Sequence, residues 1–461
     1  MLSLLDIAER SQQGPRMEEQ AWNMAFFRRM GELAKKYDLN YPGDNLCVNL
    51  DDAVPGRAFE AAVEFLATNG VYCVSTGRVI HFSEQEIRQA AREAPNRVIV
   101  GEGRDQRVMT QKQVEGTEPP NQCPGHHAPW SEELAPLVVK NFAQIPSADY
   151  LEGFNFAVVD GREIFGMPME AYAARREAAW LREGIRKAGR PGMAIAVYPI
   201  NTRAAVMIAP MDPVAGVRRT DVIMLGVLPD VKVETDLLTA AIVFEDYGSN
   251  RLNSGGSAQV GGFCGGTEGA TIESIAKALT GVLVYHASFV FAGVKSTRNT
   301  TAKTIVTRDP NLLWGTSVVY QALTRYSNII CAGETGAASG PGTRSALIEG
   351  ALRAIVDIVN GANLGIPRQR RARINASQDP LMAEWAFEVA KGAVDAKLTR
   401  VQADAVLRKL HSLIQGQPVE RGVEHIRDCY DLVNHRPSPE YLRIYLTLKE
   451  EVARLGLLMN L

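Results

Sequence analysis

The sequence has no apolar stretch that reaches the ~18 residues a bilayer-spanning helix requires. Its opening residues, MLSLLDIAERSQQGPRMEEQ, lack the basic segment and apolar core of a secretory signal peptide. With 50 Lys and Arg against 52 Asp and Glu, it also lacks the basic excess of nucleic-acid-binding surfaces. These absences predict a cytoplasmic protein with neither a membrane nor a nucleic acid as partner.

Cysteine is sparse, and no two cysteines form a C-x-x-C pair. The six are widely separated along the chain: Cys47, Cys73, Cys123, Cys264, Cys331 and Cys429. This spacing fits free thiols in a reducing compartment better than a disulfide framework or a zinc ribbon. His126 and His127 lie in a proline-rich loop, but a zinc site needs three or four convergent ligands and adjacent histidines rarely share one ion. We therefore predict no metal site.

The two ends of the chain are predicted to be helical. Ser83 followed by Glu86 forms a capping box before EIRQAAREA. Near the other end, Ser438 followed by proline is a good helix start. We predict a helical N-terminal extension over residues 1–95 and a helical C-terminal segment over 377–461, packed on the domain between them.

Between these ends, short apolar runs alternate with longer helical stretches. The runs are FNFAVVD (154–160), GMAIAVY (192–198), VIMLGVL (222–228), SAQVGGF (257–263) and NIICAG (328–333). Continuous apolar runs that are each followed by a helix indicate buried strands of a parallel α/β sheet. We predict a (β/α)₈ TIM barrel over 96–376, in which the turn-rich segment 102–150 is a long capping loop with short strands.

The segment GGFCGGTEG (261–269) joins a predicted strand to a predicted helix. Glycines let the backbone approach a ligand closely, and a helix N-terminus favours anions. The segment has neither the G-K-[ST] of a phosphate-binding loop nor a well-placed G-x-G-x-x-G. The alternative is a barrel bend with a packed turn. Glu268 is accordingly either a catalytic carboxylate or a favourable charge in the first turn of a helix.

Other polar side chains follow predicted strands, at the C-terminal mouth where barrel enzymes do their chemistry. Tyr198 ends GMAIAVY, Arg298 and Asn299 follow AGVKST, and Glu334 follows IICAG. Arg298 and Glu334 either bind a charged substrate or pair with neighbouring charges.

Several segments resemble the monomethylamine:corrinoid protein methyltransferases of methylamine-using methanogens. The resembling segments are GVYCVSTGRVIHFSEQEI (70–87), VGEGRD (100–105), AGRPGM (188–193), VGGFCGGTEGATI (260–272), ICAG (330–333) and CYDLVNHRPSPEYLRIY…LGLLM (429–459). They occur in the family's order and spacing over nearly the full chain. On these motifs the chain is identified as a member of that family.

The resemblance implies a (β/α)₈ barrel, a homo-oligomer, and a separate corrinoid protein that carries the cobalamin, so that the chain needs no cofactor of its own. In the family, pyrrolysine on a barrel strand captures the amine and orients its methyl group toward Co(I), while nearby carboxylates manage protons. An amine nitrogen is a poor leaving group and must be positioned and kept cationic.

This sequence departs from the family at that centre. The pyrrolysine position follows the R-P-G-M motif by three residues, which places it at Ala196. The family's nearby glutamates fall on Pro199 and close to Met224 and Gly255. None of these side chains retains the family's chemistry, and an alanine forms no adduct with an amine.

We therefore expect an enzyme, a methyltransferase that moves a methyl group from a methylated amine to Co(I) without pyrrolysine. A quaternary amine is a suitable donor because it leaves as a neutral amine. Cation–π contact with Tyr198 or Tyr326, together with Glu268 or Glu334, would hold such a cation.

Two alternatives stay open. One is a barrel enzyme with non-corrinoid chemistry, such as a lyase or hydrolase of a small charged molecule. The other is a non-catalytic protein that binds a small ligand or a corrinoid protein.

Overall fold

The computed structural model describes residues 2–125, 130–298, 304–306, 308–333, 337–365 and 378–460. Its helices in these ranges are α1 (Leu4–Gln13), α2 (Glu19–Lys36), α3 (Val54–Asn69), α4 (Glu84–Glu93), α5 (Ala135–Ala143), α6 (Met169–Lys187), α7 (Ala204–Ile208), α8 (Thr235–Tyr247), α9 (Thr267–Tyr285), α10 (Pro310–Tyr326), α11 (Arg344–Val359), α12 (Pro380–Asp395), α13 (Arg400–Ser412) and α14 (Pro439–Arg454). The capping box at Ser83 and the helix start at Ser438 are present as predicted.

The strands of the described ranges are mostly short. They are β1 (Val71–Cys73), β2 (Arg78–Ile80), β3 (Arg97–Val100), β4 (Arg107–Thr110), β5 (Tyr150–Glu152), β6 (Val158–Val159), β7 (Arg162–Glu163), β8 (Ala194–Val197), β9 (Val222–Leu225), β10 (Lys232–Val233), β11 (Asn250–Val260), β12 (Phe289–Arg298), β13 (Thr304–Val306), β14 (Cys331–Gly333), β15 (Asn363–Leu364), β16 (Tyr430–Asp431) and β17 (Arg436–Pro437).

Seven parallel strands form the central sheet, in the order β5-β8-β9-β11-β12-β14-β15. Residues 121–125 bridge its two edges. The backbone N–H of Cys123 donates to the carbonyl of Leu364 at 3.1 Å, and that of Glu152 donates to the carbonyl of Pro124 at 2.9 Å. The ring therefore closes with eight parallel segments, and the predicted (β/α)₈ barrel is confirmed.

Two local predictions were wrong. The segment 102–150 is more than a capping loop, because it contains the closing segment 121–125 and also α5. The run 154–160 is not a barrel strand, since the second barrel strand is β5, which ends at Glu152. The apolar character of this run has another cause: the ring of Phe156 packs on that of Trp180 at 4.3 Å between centroids.

The interior of the barrel is packed, and its N-terminal end is closed. Val98, Val100 and Met109 of the hairpin β3–β4 join the interior core that the barrel strands form. The backbone N–H of Gly101 donates to the carbonyl of Thr220 at 2.9 Å, which fixes the hairpin below the strands. Ligands therefore enter the barrel at its C-terminal mouth.

The terminal segments pack around the barrel. The indole N–H of Trp22, on α2, donates to the carbonyl of Asp230 at 2.9 Å, so the N-terminal segment touches a loop of the barrel mouth. The indole N–H of Trp385, on α12, donates to the carbonyl of Leu347 on α11 at 2.7 Å. Among the described residues, no helix combines the length and apolar character needed to cross a membrane.

Candidate active site at the barrel mouth

A cavity of about 480 Å³ lies at the C-terminal ends of β8, β9, β11 and β12. We call it the mouth cavity. Its aromatic, ionisable and amide side chains come from six different elements or loops: Tyr198, Asp230, Gln259, Phe263, Glu273, Lys277 and Lys295. A pocket of this size with a few convergent polar groups is typical of a small-molecule site.

The two longest strands extend beyond the others and build one wall of the mouth cavity. β11 and β12 stay paired as far as Val260 with Ser296, after a register shift between Asn253 and Gly256. A Cβ atom on Gly256 would lie only 2.2 Å from the carbonyl oxygen of Phe291, so glycine is required where the two backbones approach. The shift places polar side chains of β11 at the mouth.

Helix α9 supplies a buried acid and a buried lysine to the opposite side. One carboxylate oxygen of Glu273 accepts from the backbone N–H of Asp230 at 2.9 Å and lies 4.0 Å from Nζ of Lys277. Lys277 also donates to the carbonyl of Ser257 at 3.0 Å. Burial raises the pKa of Glu273, and the charge of Lys277 opposes that rise.

Asp230 follows β9 and is the second acid of the mouth cavity. Burial raises the pKa of its carboxyl group, while Lys232 and Lys277 act in the opposite direction. Nζ of Lys232 lies 3.6 Å from its carboxylate and 2.9 Å from that of Glu19. The two acids therefore each lie near a lysine.

Tyr198 lies in the mouth cavity, where the sequence placed it. The side chains of Ala194 and Ala196 face the interior core, and alternation along the strand puts half-buried Tyr198 above them on the same face. The side-chain amide of Asn155 donates to the carbonyl of Tyr198 at 3.2 Å and holds the loop after β8. The ring is thus positioned at the end of the barrel strand that contains Ala196.

The structure does not bring Glu268 or Tyr326 into the mouth cavity. Glu268 accepts from the backbone N–H of Tyr41 at 3.0 Å. It precedes Lys277 by nine residues, about two and a half turns of helix, so the two side chains leave opposite faces of α9. Tyr326 ends α10, 43% exposed, with its ring 5.5 Å from that of Phe59. Both side chains contact the N-terminal segment.

Other candidates fall partly or wholly beyond what the structure describes. Asn299, Glu334, His126 and His127 lie outside the described residues. Arg298 ends β12, and only its backbone is described. Within the described ranges, no three His, Cys, Asp or Glu side chains converge as metal ligands, and all six cysteines are buried free thiols.

Sequence reasoning missed five charged residues at or next to the mouth: Glu152, Asp230, Glu273, Lys277 and Lys295. One signal was available, because Glu273 and Lys277 are charges four residues apart in the otherwise apolar helix TIESIAKALTGVLVY. Charges in such a helix are expected only where they are paired or functional. Glu152 was missed because it ends β5, which begins at Tyr150, four residues before the run 154–160 that was predicted to be the strand.

Comparison with known proteins agrees with this architecture. The sequence model of the family described as monomethylamine methyltransferase MtmB matches residues 2–457. The chain is 24% identical to the monomethylamine methyltransferase MtmB2 of Methanosarcina acetivorans over 468 residues, covering 98% of this chain and 97% of that protein. It is also 24% identical to MtmB1 of Methanosarcina barkeri over 458 residues, with the same two coverages.

Solved structures share the fold over nearly the whole chain. The crystal structure of the Methanosarcina barkeri monomethylamine methyltransferase matches with a TM-score of 0.91 at 22% identity, covering 99% of this chain and 98% of that one. A structure described as a hydroxylamine complex of MtmB matches equally well. With the family model spanning almost every residue, the chain belongs to the monomethylamine methyltransferase MtmB family.

Proposed function

We propose that the protein transfers a methyl group from a methylated amine to Co(I) of a corrinoid, using the mouth cavity and no pyrrolysine. The corrinoid is a substrate in this reaction, delivered by a partner protein. The observation that carries the proposal is the position of Tyr198, Asp230 and Glu273 around one cavity at the barrel mouth, in a chain of this family.

The chemistry requires a cationic nitrogen. The N–CH₃ bond breaks, the nitrogen keeps the electron pair, and the methyl group forms a bond to cobalt. A neutral amine would leave as an amide ion, whereas an ammonium leaves as a neutral amine. The ring of Tyr198 and the carboxylates of Asp230 and Glu273 favour the ammonium form.

Glu273 is suited to holding a proton near the nitrogen. Glu273 is only 3% exposed and lines the mouth cavity, so water screens the interaction between its carboxylate and a bound ammonium only weakly. A quaternary donor needs no proton. A donor that carries a proton on its nitrogen must keep that proton until the methyl group departs. The negative charge of Glu273 stabilises this ammonium form.

The test mixes purified protein with chemically reduced cob(I)alamin and a panel of methylated amines, from methylamine to quaternary ammonium compounds. We expect at least one donor to remove the Co(I) absorbance and produce the methyl–Co(III) band. Tyr198→Ala should slow that donor at least tenfold, and Tyr326→Ala, at a position outside the cavity, should not.

The same assay separates the alternatives. Consumption of an amine without cobalt would favour non-corrinoid barrel chemistry. Saturable binding with no turnover, even with a corrinoid protein supplied, would favour a non-catalytic binder. Three further properties stay predictions: the cytoplasmic location, the corrinoid-protein partner and the homo-oligomeric state. Sedimentation of the purified protein tests the oligomeric state.

A further inference from the structure

The loop between β9 and β10 carries Asp230 into the mouth cavity in an unusual backbone conformation. Asp230 has a φ of 60° and Val231 a φ of 55°, so two successive residues adopt the left-handed region. A β-branched residue such as valine rarely adopts that conformation, because its side chain crowds the backbone. Such a conformation costs free energy and persists only where the surrounding structure imposes it. The contacts around this loop therefore hold Asp230 in place.

Two elements of the N-terminal segment, α2 and β1, bond to this loop. The indole N–H of Trp22, on α2, donates to the carbonyl of Asp230 at 2.9 Å. The backbone N–H of Tyr72, on β1, donates to the carbonyl of Val231 at 3.3 Å. On the barrel side, the backbone N–H of Asp230 donates to Glu273 at 2.9 Å. The conformation of Asp230 therefore depends on the N-terminal segment as well as on α9.

Helix α2 also affects the charge around the carboxylate of Asp230. Nζ of Lys232 lies 2.9 Å from a carboxylate oxygen of Glu19, on α2, and 3.6 Å from one of Asp230. The attraction between opposite charges weakens with distance, so the lysine pairs more closely with Glu19. Without Glu19, the lysine would lose the nearer of its two partners among the described residues and would pair with Asp230. Glu19 therefore keeps the Asp230 carboxylate from being fully neutralised.

These contacts matter because the two acids of the mouth cavity are supported differently. Glu273 projects from α9, a helix of 19 residues. Asp230 projects from a loop, and a group that contacts a ligand must be held within about 0.5 Å of its working position. Glu19 and Trp22 are three residues apart, which places them on one face of α2. From that face, Trp22 supports the position of Asp230 and Glu19 supports its charge.

We propose that Trp22 and Glu19 are positioning residues of the mouth cavity, which keep the carboxylate of Asp230 placed and charged for the cationic nitrogen of the ligand. The N-terminal segment is then a part of the active site and not only a cover of the barrel. The contact between Asp230 and a cation rests on the proposed function. The anchoring of its loop rests on the contacts of α2 and β1.

A double-mutant cycle on the full-length protein tests the proposal, with the affinity for tetramethylammonium measured by calorimetric titration. Trp22→Phe removes the indole N–H and keeps an aromatic ring. Glu19→Gln removes the charge and keeps the shape of the side chain. Each is measured alone and together with Asp230→Asn. Glu19→Asp tests whether a carboxylate at this position is sufficient.

Helix α12 offers the same two kinds of contact at the same spacing. The indole N–H of Trp385 donates to the carbonyl of Leu347 at 2.7 Å, and Glu388 lies 3.2 Å from Nζ of Lys449. Helix α12 supplies none of the described residues that line the mouth cavity. Trp385→Phe and Glu388→Gln are therefore the matched controls.

We expect Asp230→Asn to weaken binding at least tenfold, and Trp22→Phe and Glu19→Gln to weaken it at least threefold each. In the Asp230→Asn background, the two α2 substitutions should have almost no further effect, because the carboxylate on which they act is gone. Glu19→Asp should keep most of the affinity, and the two α12 controls all of it. Glu19→Gln, at an exposed position, serves if Trp22→Phe does not fold.

Three results would overturn the proposal. They are an equal loss of affinity in the Asp230→Asn background, an equal loss in the α12 controls, and no binding of tetramethylammonium by the wild-type protein. Hydrogen exchange tests the anchoring without a ligand. Trp22→Phe should speed the exchange of backbone amides in residues 226–234, and Trp385→Phe should not. Unchanged exchange in Trp22→Phe would contradict the anchoring of the loop.

Methyl transfer to cob(I)alamin is measured on the same samples, so the two proposals fail separately. Affinity that depends on α2 through Asp230, without methyl transfer from any amine of the panel, would uphold the positioning role and contradict the proposed function. Methyl transfer and cation affinity that the α2 variants leave unchanged would do the reverse.

Discussion

Glu152 and Ala196 are register partners on the adjacent parallel strands β5 and β8. The residues two positions earlier, Tyr150 and Ala194, face the interior core, so alternation directs Glu152 and Ala196 to the same face. Ala196 is fully buried and Glu152 is 2% exposed. The position that we equate with pyrrolysine is thus a small side chain within a packed interior, beside a buried carboxylate.

A lysine at position 196 should therefore destabilise the protein. Ala196 packs among Met224, Tyr150 and other interior side chains, and inserting extra methylenes into a packed core costs about 1–3 kcal/mol. We expect Ala196→Lys to lower the free energy of unfolding by at least that amount, measured by denaturant titration. Ala215→Lys, at an exposed loop position, is the control. Unchanged stability of Ala196→Lys would show that this site has room for a long side chain.

Replacing Glu273 should distinguish protonated from quaternary donors. If the buried carboxylate stabilises a protonated ammonium, Glu273→Gln lowers kcat/KM at least tenfold for donors that carry a proton on nitrogen. Quaternary donors, whose charge does not depend on pH, should be affected much less. The measurement is the rate of cob(I)alamin methylation between pH 6 and 9, with Glu163→Gln on the exposed hairpin β6–β7 as the control. An equal loss for both donor classes would assign Glu273 a purely structural role.

Glu177 on α6 should lower the stability of the protein as pH rises above the ordinary pKa of a glutamate. Its side chain is 2% exposed, and among the described residues nothing donates to its Oε1 atom. Burial raises its pKa well above the ordinary value, and the charge of Glu152 adds to that rise. The folded state therefore holds this proton more tightly than the unfolded state, so stability falls as pH rises above the unfolded pKa and levels off above the folded one.

The variant Glu177→Gln should remove this loss. We expect it to gain about 1–3 kcal/mol of unfolding free energy at pH 8, the penalty for an unsatisfied buried polar group, and little at pH 4. Thermal unfolding from pH 4 to 8 measures the difference, and Glu163→Gln should follow the wild-type curve. A wild-type stability that does not fall with pH would contradict the assigned cause.

The buried ion pair between Arg182 and Asp221 should make the barrel sensitive to the loss of either partner alone. Arg182 donates to Asp221, to the carbonyl of Gly216 at 2.9 Å and to that of Met193 at 3.0 Å. Asp221 also accepts from the backbone N–H of Ile195 at 3.0 Å. The pair therefore ties α6 to the starts of β8 and β9.

Removing one partner leaves an uncompensated buried charge. We expect Asp221→Ala to cost about 3–5 kcal/mol in denaturant titration. The double variant Arg182→Met with Asp221→Ala should lose less than the sum of the two single variants, because it buries no lone charge. Additive losses would show that the two groups do not act as a pair.

Local elements were readable from the sequence because their signals lie within a few residues. Two helix starts show this: the capping box of Ser83 and Glu86, and the N-cap at Ser438. Both depend on hydrogen bonds between a side chain and the backbone inside one helical turn. The apolar runs that became β8 and β9 are buried on both faces, and such runs are read directly. The order and spacing of motifs likewise sufficed to identify the family.

Pairing between distant segments was decided only in the folded chain. The closing segment 121–125 has no apolar run and becomes a barrel strand because Leu364, 241 positions after Cys123, presents a free edge to it. A strand of this kind owes its conformation to its neighbours and not to its own residues.

Which side chains line the candidate site was also determined only by the folded chain. Helix α9 is buried on almost every side, so its sequence has no polar face to show which way Glu268, Glu273 and Lys277 point. The sequence by itself determined the barrel, the family and the position of Tyr198. Only the tertiary structure placed Glu273 and Lys277 in the mouth cavity and Glu268 against Tyr41, because the packing around a fully buried helix determines which side chains reach the ligand.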